Sequence, residues 1–497
     1  MAEGLANFGL LNWSIVVVFL VGTAWFGHRL GSGHSGLSGF FLGDRDLPWW
    51  AVSLSIIASQ TSAITLIAVP GAVFASGGNT GYGQLMLIGF VTGKILMVLL
   101  FVKPYFKEVV YSPYEFMARH VGQRASHIAR GLFLIGAVLS QGVRLLATAL
   151  VLSEVTGLSS ETCILILGAF SALHCVTGGI KAVIWTDVIQ ASVFFLGGLF
   201  MLFWLTGHLS MGWAEMLTVL DDKAKLTLID WSTDPAKGFT IWVALCAFPI
   251  YELGLNSTDQ VVTQRLLCCR DHHEAKKAVL FSCSAVLIAF IMLGVGLGLV
   301  LHYHVNPLPA DAAERIAEKA DRIVPYYVIN NLPVGLSGLI IAAIFAAGIS
   351  TLDSALAALS QTSVMGIYRR HIRKRAAESH YLFAAKIGVV VWGGVLCVLA
   401  IAFNTLGGSL LENLFVVPAY VYGPLLGIGL LALMRRGRGL GVLAGTLAAF
   451  GAVAILQLNG IHLFWAYPLG TAVLVAVALG VDLALGGRST PPTRSNP

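Results

Sequence analysis

Long runs of apolar residues recur from one end of the chain to the other. A helix of about 20 such residues crosses a bilayer core of about 30 Å. The runs are continuous and do not alternate with polar residues, so they predict helices instead of barrel strands, and each helix satisfies its own backbone hydrogen bonds in lipid. We number the thirteen predicted helices 0 to 12, and they cover residues 11–28, 48–74, 82–102, 130–155, 161–177, 182–206, 239–258, 278–302, 334–366, 382–403, 412–434, 439–458 and 461–485.

The composition is that of a chain surrounded by lipid. Hydrophobic residues make up 57% of the 497 residues and charged residues only 11%, against roughly 25% charged residues in a soluble domain. Long polar stretches occur at 221–237 and at 309–331, and the second contains AAERIAEKADRI, the pattern of a surface helix. We therefore predict an all-α polytopic membrane protein with one transmembrane domain over residues 1–497 and a disordered tail at 486–497.

The positions of Lys and Arg predict the orientation, because positively charged loops remain in the cytoplasm. With the N-terminus outside and the C-terminus cytoplasmic, most of the 31 cationic residues fall on the cytoplasmic side. The exceptions lie in the two long polar stretches, which also hold acids. The net charge of +6 is thus a topology signal and does not indicate a nucleic-acid partner. The cytoplasmic set includes Lys103, Lys107, Arg119, Arg124, Arg130, Arg265, Arg270, Lys276, Lys277, Arg369, Arg370, Arg373, Lys374 and Arg375.

Neither the N-terminus nor the cysteines indicate further processing or a metal site. The first apolar run has no basic segment before it, so we predict a retained helix and not a cleaved signal peptide. The seven cysteines show no metal-ligand spacing, and most lie inside apolar runs. We interpret them as small buried hydrophobic residues.

Two predicted helices carry small and polar residues at mid-membrane depth. Helix 1 contains ASQTSAIT at 58–65, followed by Pro70 and Gly71, and helix 8 contains AAGISTLDS at 346–354. Polar residues at this depth usually face a cavity, although small residues also serve helix packing. The presence of two such segments in separate halves of the chain favours a cavity.

Four segments together resemble the solute:sodium symporter family, which includes carriers of sugars, proline, sialic acid, monocarboxylates and vitamins. They are GFFLGDRDLPWWAVSLSIIASQTSAITLIAVPG, GGIKAVIWTDVIQ from Gly178, TDQVVTQR from Thr258 and GLIIAAIFAAGISTLDS from Gly338. The resemblance runs from about residue 38 to 436. It implies two inverted five-helix repeats, helices 1–5 (48–206) and helices 6–10 (239–434), with helices 1 and 6 broken. Helix 0 (11–28) and the C-terminal helices (439–485) are additions to this plan.

The resemblance also implies a function. A member of this family is no enzyme: it is a secondary active transporter that moves a small organic solute into the cell on the sodium gradient by alternating access. Its partners are the solute, sodium ions and the lipid bilayer of the plasma membrane, which in a bacterium is the inner membrane. We expect it to function as a monomer and to bind no nucleic acid.

Sodium is a hard cation that needs several oxygen ligands, which transporters take from backbone carbonyls freed at a helix break and from hydroxyls of a neighbouring helix. By resemblance, the ligands are the carbonyls of Ala58, Thr61 and Ala347 and the hydroxyls of Ser350 and Thr351. The adjacent hydroxyls of Ser350 and Thr351 match the family pattern directly.

Charged residues inside the membrane are costly and therefore count as functional candidates. They are Lys94, Arg144, Asp187, Glu252 and Asp353. In some relatives a second sodium lies at the positions of Asp187, Ser350, Asp353 and Ser354, although a serine stands where this chain has Asp353. Asp353 could strengthen such a site, pair with Lys94, carry a proton or form a structural ion pair.

Arg144 lies about 18 Å along helix 3, at mid-membrane depth. A guanidinium there keeps its proton and favours a planar anion, which suggests a solute carboxylate. Sialic acid carriers of the family use an arginine on this helix, but it aligns with Ser140, one turn earlier. Glu252 is the alternative partner within the protein. Further solute contacts by resemblance or position are Gln60, Ser62, Thr65, Gln84, Tyr251 and Asn256.

Three other classes of protein remain as alternatives. A proton-coupled symporter of the same fold is possible because Asp187 and Asp353 could relay protons, but the neutral oxygen cluster favours sodium. A multipass membrane enzyme would need a catalytic motif at one membrane face, and we find no metal-spaced His pair, nucleophile elbow or phosphate loop. A channel would need a repeated filter or a pore ring, which the sequence lacks.

Overall fold

The computed structural model describes residues 8–31, 36–108, 110–404 and 410–485, without the side chains of 28, 30, 31 and 410–417. These residues form helices joined by short connections, and no strand occurs among them. The all-α prediction is confirmed. The tail predicted at 486–497 lies outside the described residues.

The number of membrane-crossing helices is lower by length and composition than the thirteen predicted. In the described ranges nine helices qualify, or ten when the bent pair of helix 1 is taken as one span. Thirteen is not confirmed, because predicted helices 4 and 5 follow each other through a kink at Gly179 and count as one helix, helix 6 is divided into short pieces, and helix 10 is only partly described. The qualifying elements are Leu10–Gly27, Trp49–Gln60 with Ala63–Phe74, Tyr82–Lys107, Gln123–Thr156, Ser160–Gly207, His272–Val305, Leu336–Ile372, Glu378–Asn404, Gly439–Leu458 and Leu463–Ala484.

Helices 1 and 6 are both broken, as the family resemblance implied. In helix 1 the segments Trp49–Gln60 and Ala63–Phe74 meet at an angle of 55°. In helix 6 the segments Phe248–Thr258 and Gln260–Leu266 are separated by Asp259, whose backbone is extended. The break in helix 1 lies within an apolar span and the break in helix 6 directly follows one, so the backbone groups at both must find partners inside the protein.

The joint between helices 4 and 5 depends on a glycine. Ser160–Gly207 is 48 residues long and changes direction at Gly179, which has φ 58° and ψ −170°. Only glycine adopts this conformation without strain. A Cβ at Gly179 would also lie 3.0 Å from the carbonyl oxygen of Phe40, so the absence of a side chain permits both the turn and the close packing.

Helix 8 occupies the centre of the bundle and helix 0 its periphery. In the most apolar stretch of helix 8, 94% of the residues are buried, whereas 22% are buried in the corresponding stretch of helix 0. Helix 3 packs closely on helix 8, since a Cβ at Gly348 would lie 2.3 Å from the hydroxyl of Thr148. The polar segment of helix 8 is thus surrounded by protein and not by lipid.

The polar segment 221–237 closes the end of helix 1. Lys225 is buried and donates hydrogen bonds to the carbonyls of Val73, Ala75 and Gly78 at 2.8, 2.7 and 2.9 Å. An ammonium at this end interacts favourably with the helix dipole. Lys225, an exception to the charge rule, therefore has a structural partner. The polar stretch 309–331 forms the helices Ala310–Glu318 and Ile323–Asn331.

Candidate functional site

A cavity of about 1120 Å³, including its opening, lies between the two broken helices. Its wall is formed by residues of helices 1, 2, 3, 6, 7 and 10, and most of the lining side chains are apolar or aromatic. The polar lining is Ser59, Gln60, Thr61, Ser62, Thr65, Tyr82, Ser140, Gln141, Arg144, Tyr251, Glu252, Asp259 and Tyr422. A concave site in which apolar, aromatic and polar side chains converge is typical of a small-molecule site.

The structure brings most of the predicted solute contacts to this cavity. Gln60, Ser62, Thr65, Arg144 and Tyr251 all line it. Two residues lie elsewhere. Asn256 is behind the wall and accepts a hydrogen bond from the Gln60 amide at 3.1 Å, and Gln84 donates to the Phe239 carbonyl at 2.6 Å.

The break in helix 1 leaves backbone oxygens without hydrogen bonds. The amide of Thr61 donates to the Ile57 carbonyl at 2.8 Å and the amide of Thr65 to the Ser62 carbonyl at 2.9 Å. Within the described chain, no backbone amide outside the regular helices bonds to the carbonyls of Ala58 or Thr61. Carbonyls freed in this way suit a hard cation such as sodium.

Helices 1 and 8 meet at Asp187 of helix 5. One carboxylate oxygen of Asp187 accepts from Ser55 and the other from Ser350, so Ser55 and Ser350 lie at one level. Helices 1 and 8 run in opposite directions in an alternating bundle. One turn beyond Ser55 is Ala58 and one turn before Ser350 is Ala347, so these carbonyls also lie near one level.

A buried polar cluster surrounds Asp187. Besides Ser55 and Ser350, Asp187 accepts from the Arg265 guanidinium at 3.1 Å, and Arg265 also donates to Ser354 and, at 2.8 Å, to Ser55. Three of the four predicted second-cation residues, Asp187, Ser350 and Ser354, are thus together. A protein cation already lies among them.

Arg265 corrects the charge assignment. We had placed it in a cytoplasmic loop, but it is 0% exposed, because helix 6 continues past its break to Leu266. The apolar run of helix 6 ends at residue 258 in the sequence. The helical segment that follows the break has only seven residues, several of them polar, so hydropathy alone does not reveal it. The resembling segment TDQVVTQR, which contains Arg265, was the available signal.

Asp353, next to Ser354 in the chain, has a hydrogen-bond partner outside the Asp187 cluster. Its Oδ2 hydrogen bonds to Nδ1 of His174 on helix 4, and both side chains are buried. Its Oδ1 and Nε2 of His174 have no hydrogen-bond partner among the described residues. Sequence reasoning did not consider His174, which lies in an apolar run, and Lys94 is not the partner of Asp353.

Lys94 instead begins a chain of hydrogen bonds along the cavity wall. Its ammonium is fully buried and donates to Ser282 at 2.7 Å and to the Gln60 carbonyl oxygen at 2.8 Å. Gln60 donates to Asn256, and Asn256 donates to Glu252 Oε2 at 2.9 Å. The chain connects helices 7, 2, 1 and 6.

Arg144 and Glu252 both face the cavity but form no ion pair with each other. No carboxylate lies within 4.0 Å of Arg144 in the described structure, and its buried Nε has no hydrogen-bond partner. The intraprotein partner considered from the sequence is therefore not in contact in this conformation.

A second cavity borders the same part of helix 6, of which Val261 and Val262 line the first cavity. Asp259 lines the first cavity, whereas the next residue, Gln260, lines the second. Asp259 accepts a hydrogen bond from Tyr422, and Gln260 donates to Gln361 at 2.7 Å. The break in helix 6 thus belongs to the partition between two cavities.

The sodium:solute symporter family model matches residues 40–448, which is most of the chain. This protein belongs to that family. The symporter is 26% identical over 91% of its chain to the human sodium/iodide cotransporter and 26% identical over 80% to the mouse sodium-coupled monocarboxylate transporter 2. It is 25% identical over 78% of its chain to the sodium/sialic acid symporter SiaT of Proteus mirabilis. It spans 70%, 63% and 77% of the lengths of these three proteins.

The solved structures agree on the fold of the symporter. A sodium-coupled sialic acid symporter in a substrate-bound, outward-open state has a TM-score of 0.86, with 22% identity over 97% of this chain and 98% of that one. The nucleobase-cation-symport-1 family transporter Mhp1 has a TM-score of 0.54 with 16% identity. Family and fold together establish a sodium-coupled membrane transporter, and sodium is its coupling ion.

Proposed function

We propose that this symporter carries a small organic anion with a carboxylate group into the cell. The observation that carries this proposal is Arg144, a guanidinium that lines the cavity and has no ion pair among the described residues. The Arg144 side chain is only partly exposed, and a guanidinium in such a place needs an anion or water as its partner. A planar carboxylate matches its paired donors.

A second feature favours an anion. The second cavity is lined by four cationic side chains, Arg130, Arg369, Arg370 and Lys374, and by two acidic ones, Glu115 and Glu378. An excess of positive charge in a concave site raises the local concentration of an anionic solute. The relatives are consistent with this chemistry, since their names specify iodide, monocarboxylate and sialic acid.

Sodium binds at the break of helix 1, between the carbonyls of Ala58, Thr61 and Ala347 and the hydroxyls of Ser350 and Thr351. The unbonded carbonyls of Ala58 and Thr61 support this site. The hydroxyl of Thr351 is buried near the helix 8 backbone, where it donates to the Gly348 carbonyl at 2.8 Å, so its lone pairs remain able to accept a cation. The partition at Asp259 supports alternating access between the two cavities.

The N-terminus lies outside and the C-terminus in the cytoplasm of a plasma membrane. The cationic second cavity then faces the cytoplasm, in agreement with the charge rule. A reporter fused after Arg438 and another after Arg488 distinguish the orientations. If reporters that work only on the outer side of the membrane were active in both fusions, this assignment would be contradicted.

Arg144→Lys tests the solute class, with Arg124→Lys on the exposed start of helix 3 as the control. Lysine keeps the charge and loses the paired donors, so affinity for a carboxylate solute should fall about ten-fold or more, on the order of 1.4 kcal/mol. Sodium binding alone should persist. Binding is measured with purified protein and a panel of small carboxylates in sodium and in potassium.

Three results would overturn the proposal. The first is that no carboxylate binds to the wild-type protein in sodium. The second is that neutral analogues bind as well as the acids. The third is that the folded fraction of Arg144→Lys binds acids with unchanged affinity.

A further inference from the structure

Glu252 is a second charged residue in the cavity wall, and it is only partly used by the protein. It is 4% exposed and lines the cavity. Its Oε2 accepts from the Asn256 amide at 2.9 Å. No hydrogen bond reaches its Oε1 from the described residues, and no cation lies within 4.0 Å. Oε1 is not among the fully buried polar atoms that lack a partner, so it is accessible from the cavity, where a donor on a bound solute can reach it.

The direction of every hydrogen bond in the chain that leads to Glu252 is determined by Lys94. An ammonium only donates, so the Gln60 side-chain oxygen must face Lys94, at 2.8 Å. The Gln60 amide then donates to Asn256 at 3.1 Å, and the Asn256 amide donates to Glu252. Lys94 thus determines the orientation of two amides and supplies Glu252 Oε2 with its donor.

Close packing holds this arrangement in place. A Cβ at Gly93, next to Lys94, would lie 2.4 Å from Cβ of Glu252, so helices 2 and 6 approach each other where the chain crosses between them. Asn256 is also fixed by a hydrogen bond to the Glu252 carbonyl at 2.8 Å. The remaining oxygen, Oε1, has the cavity as its other surroundings.

We propose that the solute carries a hydrogen-bond donor in addition to its carboxylate, and that Glu252 Oε1 accepts from this donor while Arg144 holds the carboxylate. This rests on the proposed function, since it adds a second contact to the same cavity. The substrate class is then a hydroxy acid or an amino acid, and not an inorganic anion or an unsubstituted carboxylic acid. Glu252 is the specificity-determining residue and Lys94 its positioning residue.

The physical reason is that leaving a polar group of the site without a partner costs more free energy than a hydrogen bond to it contributes. A site with an unpaired polar group rejects an analogue that lacks the matching donor, because the analogue leaves that group desolvated. An ammonium and a hydroxyl both satisfy Glu252 Oε1. The two differ in charge, so a change that neutralises Glu252 separates them.

The experiment uses sets of acids that differ only at carbon 2, which bears hydrogen, hydroxyl or ammonium, with skeletons of three to six carbons. Sodium-dependent binding of each acid is measured on the purified full-length protein by intrinsic fluorescence and thermal shift. In at least one set, we expect the hydroxyl or the ammonium compound to bind at least about ten-fold more tightly than the unsubstituted acid.

Variants of the protein then test which residues cause the preference for a hydroxyl or ammonium group. Glu252→Gln should reduce an ammonium preference at least about ten-fold and a hydroxyl preference less, because the amide still accepts. Lys94→Met should reduce the same preference ratio, whereas a purely structural role would weaken all acids alike. Glu154→Gln, at an exposed position near the end of helix 3, is the control and should leave the ratio unchanged.

The outcomes separate the two proposals. If unsubstituted acids bind as well as their hydroxyl and ammonium counterparts and remain sensitive to Arg144→Lys, the role of Glu252 is wrong and the carboxylate proposal stands. If the preference exists but persists in folded Glu252→Gln and Glu252→Asp, Glu252 is not its source. If no acid binds in sodium, both proposals fail.

Discussion

The two helix breaks of this symporter differ in whether their backbone carbonyl oxygens accept hydrogen bonds. The break in helix 1 consists of small and neutral residues, and in the described part of the chain no backbone amide outside the regular helices donates to the carbonyls of Ala58 and Thr61. The break in helix 6 is satisfied by its own surroundings. Tyr105 donates to the Ser257 carbonyl at 2.7 Å, and Thr263 donates to the Asp259 carbonyl at 2.8 Å.

The side chains at the two breaks also differ in the hydrogen bonds that they form. Asp259 begins the second half of helix 6 with its own carboxylate, which accepts from the Val261 amide at 2.6 Å and from Tyr422. Ser62, at the corresponding position of helix 1, forms no such cap. Two breaks related by the repeat thus have different chemistry: free carbonyls suit a cation, and a capped break suits a partition between cavities.

The largest effect is expected from removing the hydroxyls opposite the helix 1 break. Ser350→Ala and Thr351→Ala should each raise the sodium concentration for half-maximal binding about ten-fold, since each removes one of a few oxygens around a desolvated cation. The double variant should nearly abolish sodium-coupled uptake. Thr362→Ala, whose hydroxyl has no partner among the described residues, is the control on the same helix. Wild-type sodium dependence in the double variant would rule out this site.

The next effect concerns Asp187, where the first half of helix 1 and the second half of helix 6 meet through Ser55 and Arg265. Asp187→Asn leaves Arg265 buried without its counter-charge, a loss of about 3–5 kcal/mol in stability. If a second sodium binds in this cluster, the Hill coefficient for sodium should fall from about two toward one.

Asp353→Asn is the matched comparison for Asp187→Asn. The Asp353 carboxylate hydrogen bonds to His174 and, among the described residues, to no side chain of the cluster, so this variant should retain the wild-type Hill coefficient. Sodium titrations of uptake in proteoliposomes measure both. A Hill coefficient near one in the wild type and both variants would leave Arg265 as the cation of the Asp187 cluster.

A smaller effect is expected at the partition. Tyr422→Phe removes the donor to the Asp259 carboxylate, and a hydrogen bond to a charged group contributes about 1.5–3 kcal/mol. We expect a lower melting temperature in detergent. Tyr303→Phe, which removes an exposed hydrogen bond to Asn331 of 3.2 Å, should change little. Equal melting temperatures for Tyr422→Phe and the wild type would argue against a structural role for this contact.

The smallest expected effect tests the difference between the two helix breaks directly. Tyr105→Phe removes the shorter of the two side-chain hydrogen bonds to the Ser257 carbonyl at the helix 6 break and leaves the bond of 3.4 Å from Thr263. This change should lower stability by about 1 kcal/mol. Sodium affinity should not change, because no hydroxyl pair like Ser350 and Thr351 is expected opposite this carbonyl. Melting curves and sodium titrations of the same preparation test both parts. A new or stronger sodium dependence would mean that a free carbonyl alone is enough to bind the ion.

Much of this protein could be predicted from its sequence because lipid imposes simple conditions. Long apolar runs must be helices, and polar residues inside them must face protein or a cavity. These conditions predicted the helical bundle, and the motifs on helices 1 and 8 predicted the family. Gln60, Ser62, Thr65, Arg144 and Tyr251 were expected to contact the solute, and all of them line the cavity.

The tertiary structure decided which polar groups are partners. Hydropathy assigned Arg265 to a loop, since seven residues after a break cannot be recognised as a continued helix. Contacts such as Asp187 with Arg265 and Asp353 with His174 join residues that are 78 and 179 positions apart, and no local pattern specifies them. The sequence by itself determined the all-helical membrane fold and, through its motifs, the family, and it favoured sodium as the coupling ion. The packing of helices determined the ion pairs, the two different breaks and the unpaired oxygen of Glu252, because these depend on distances between helices.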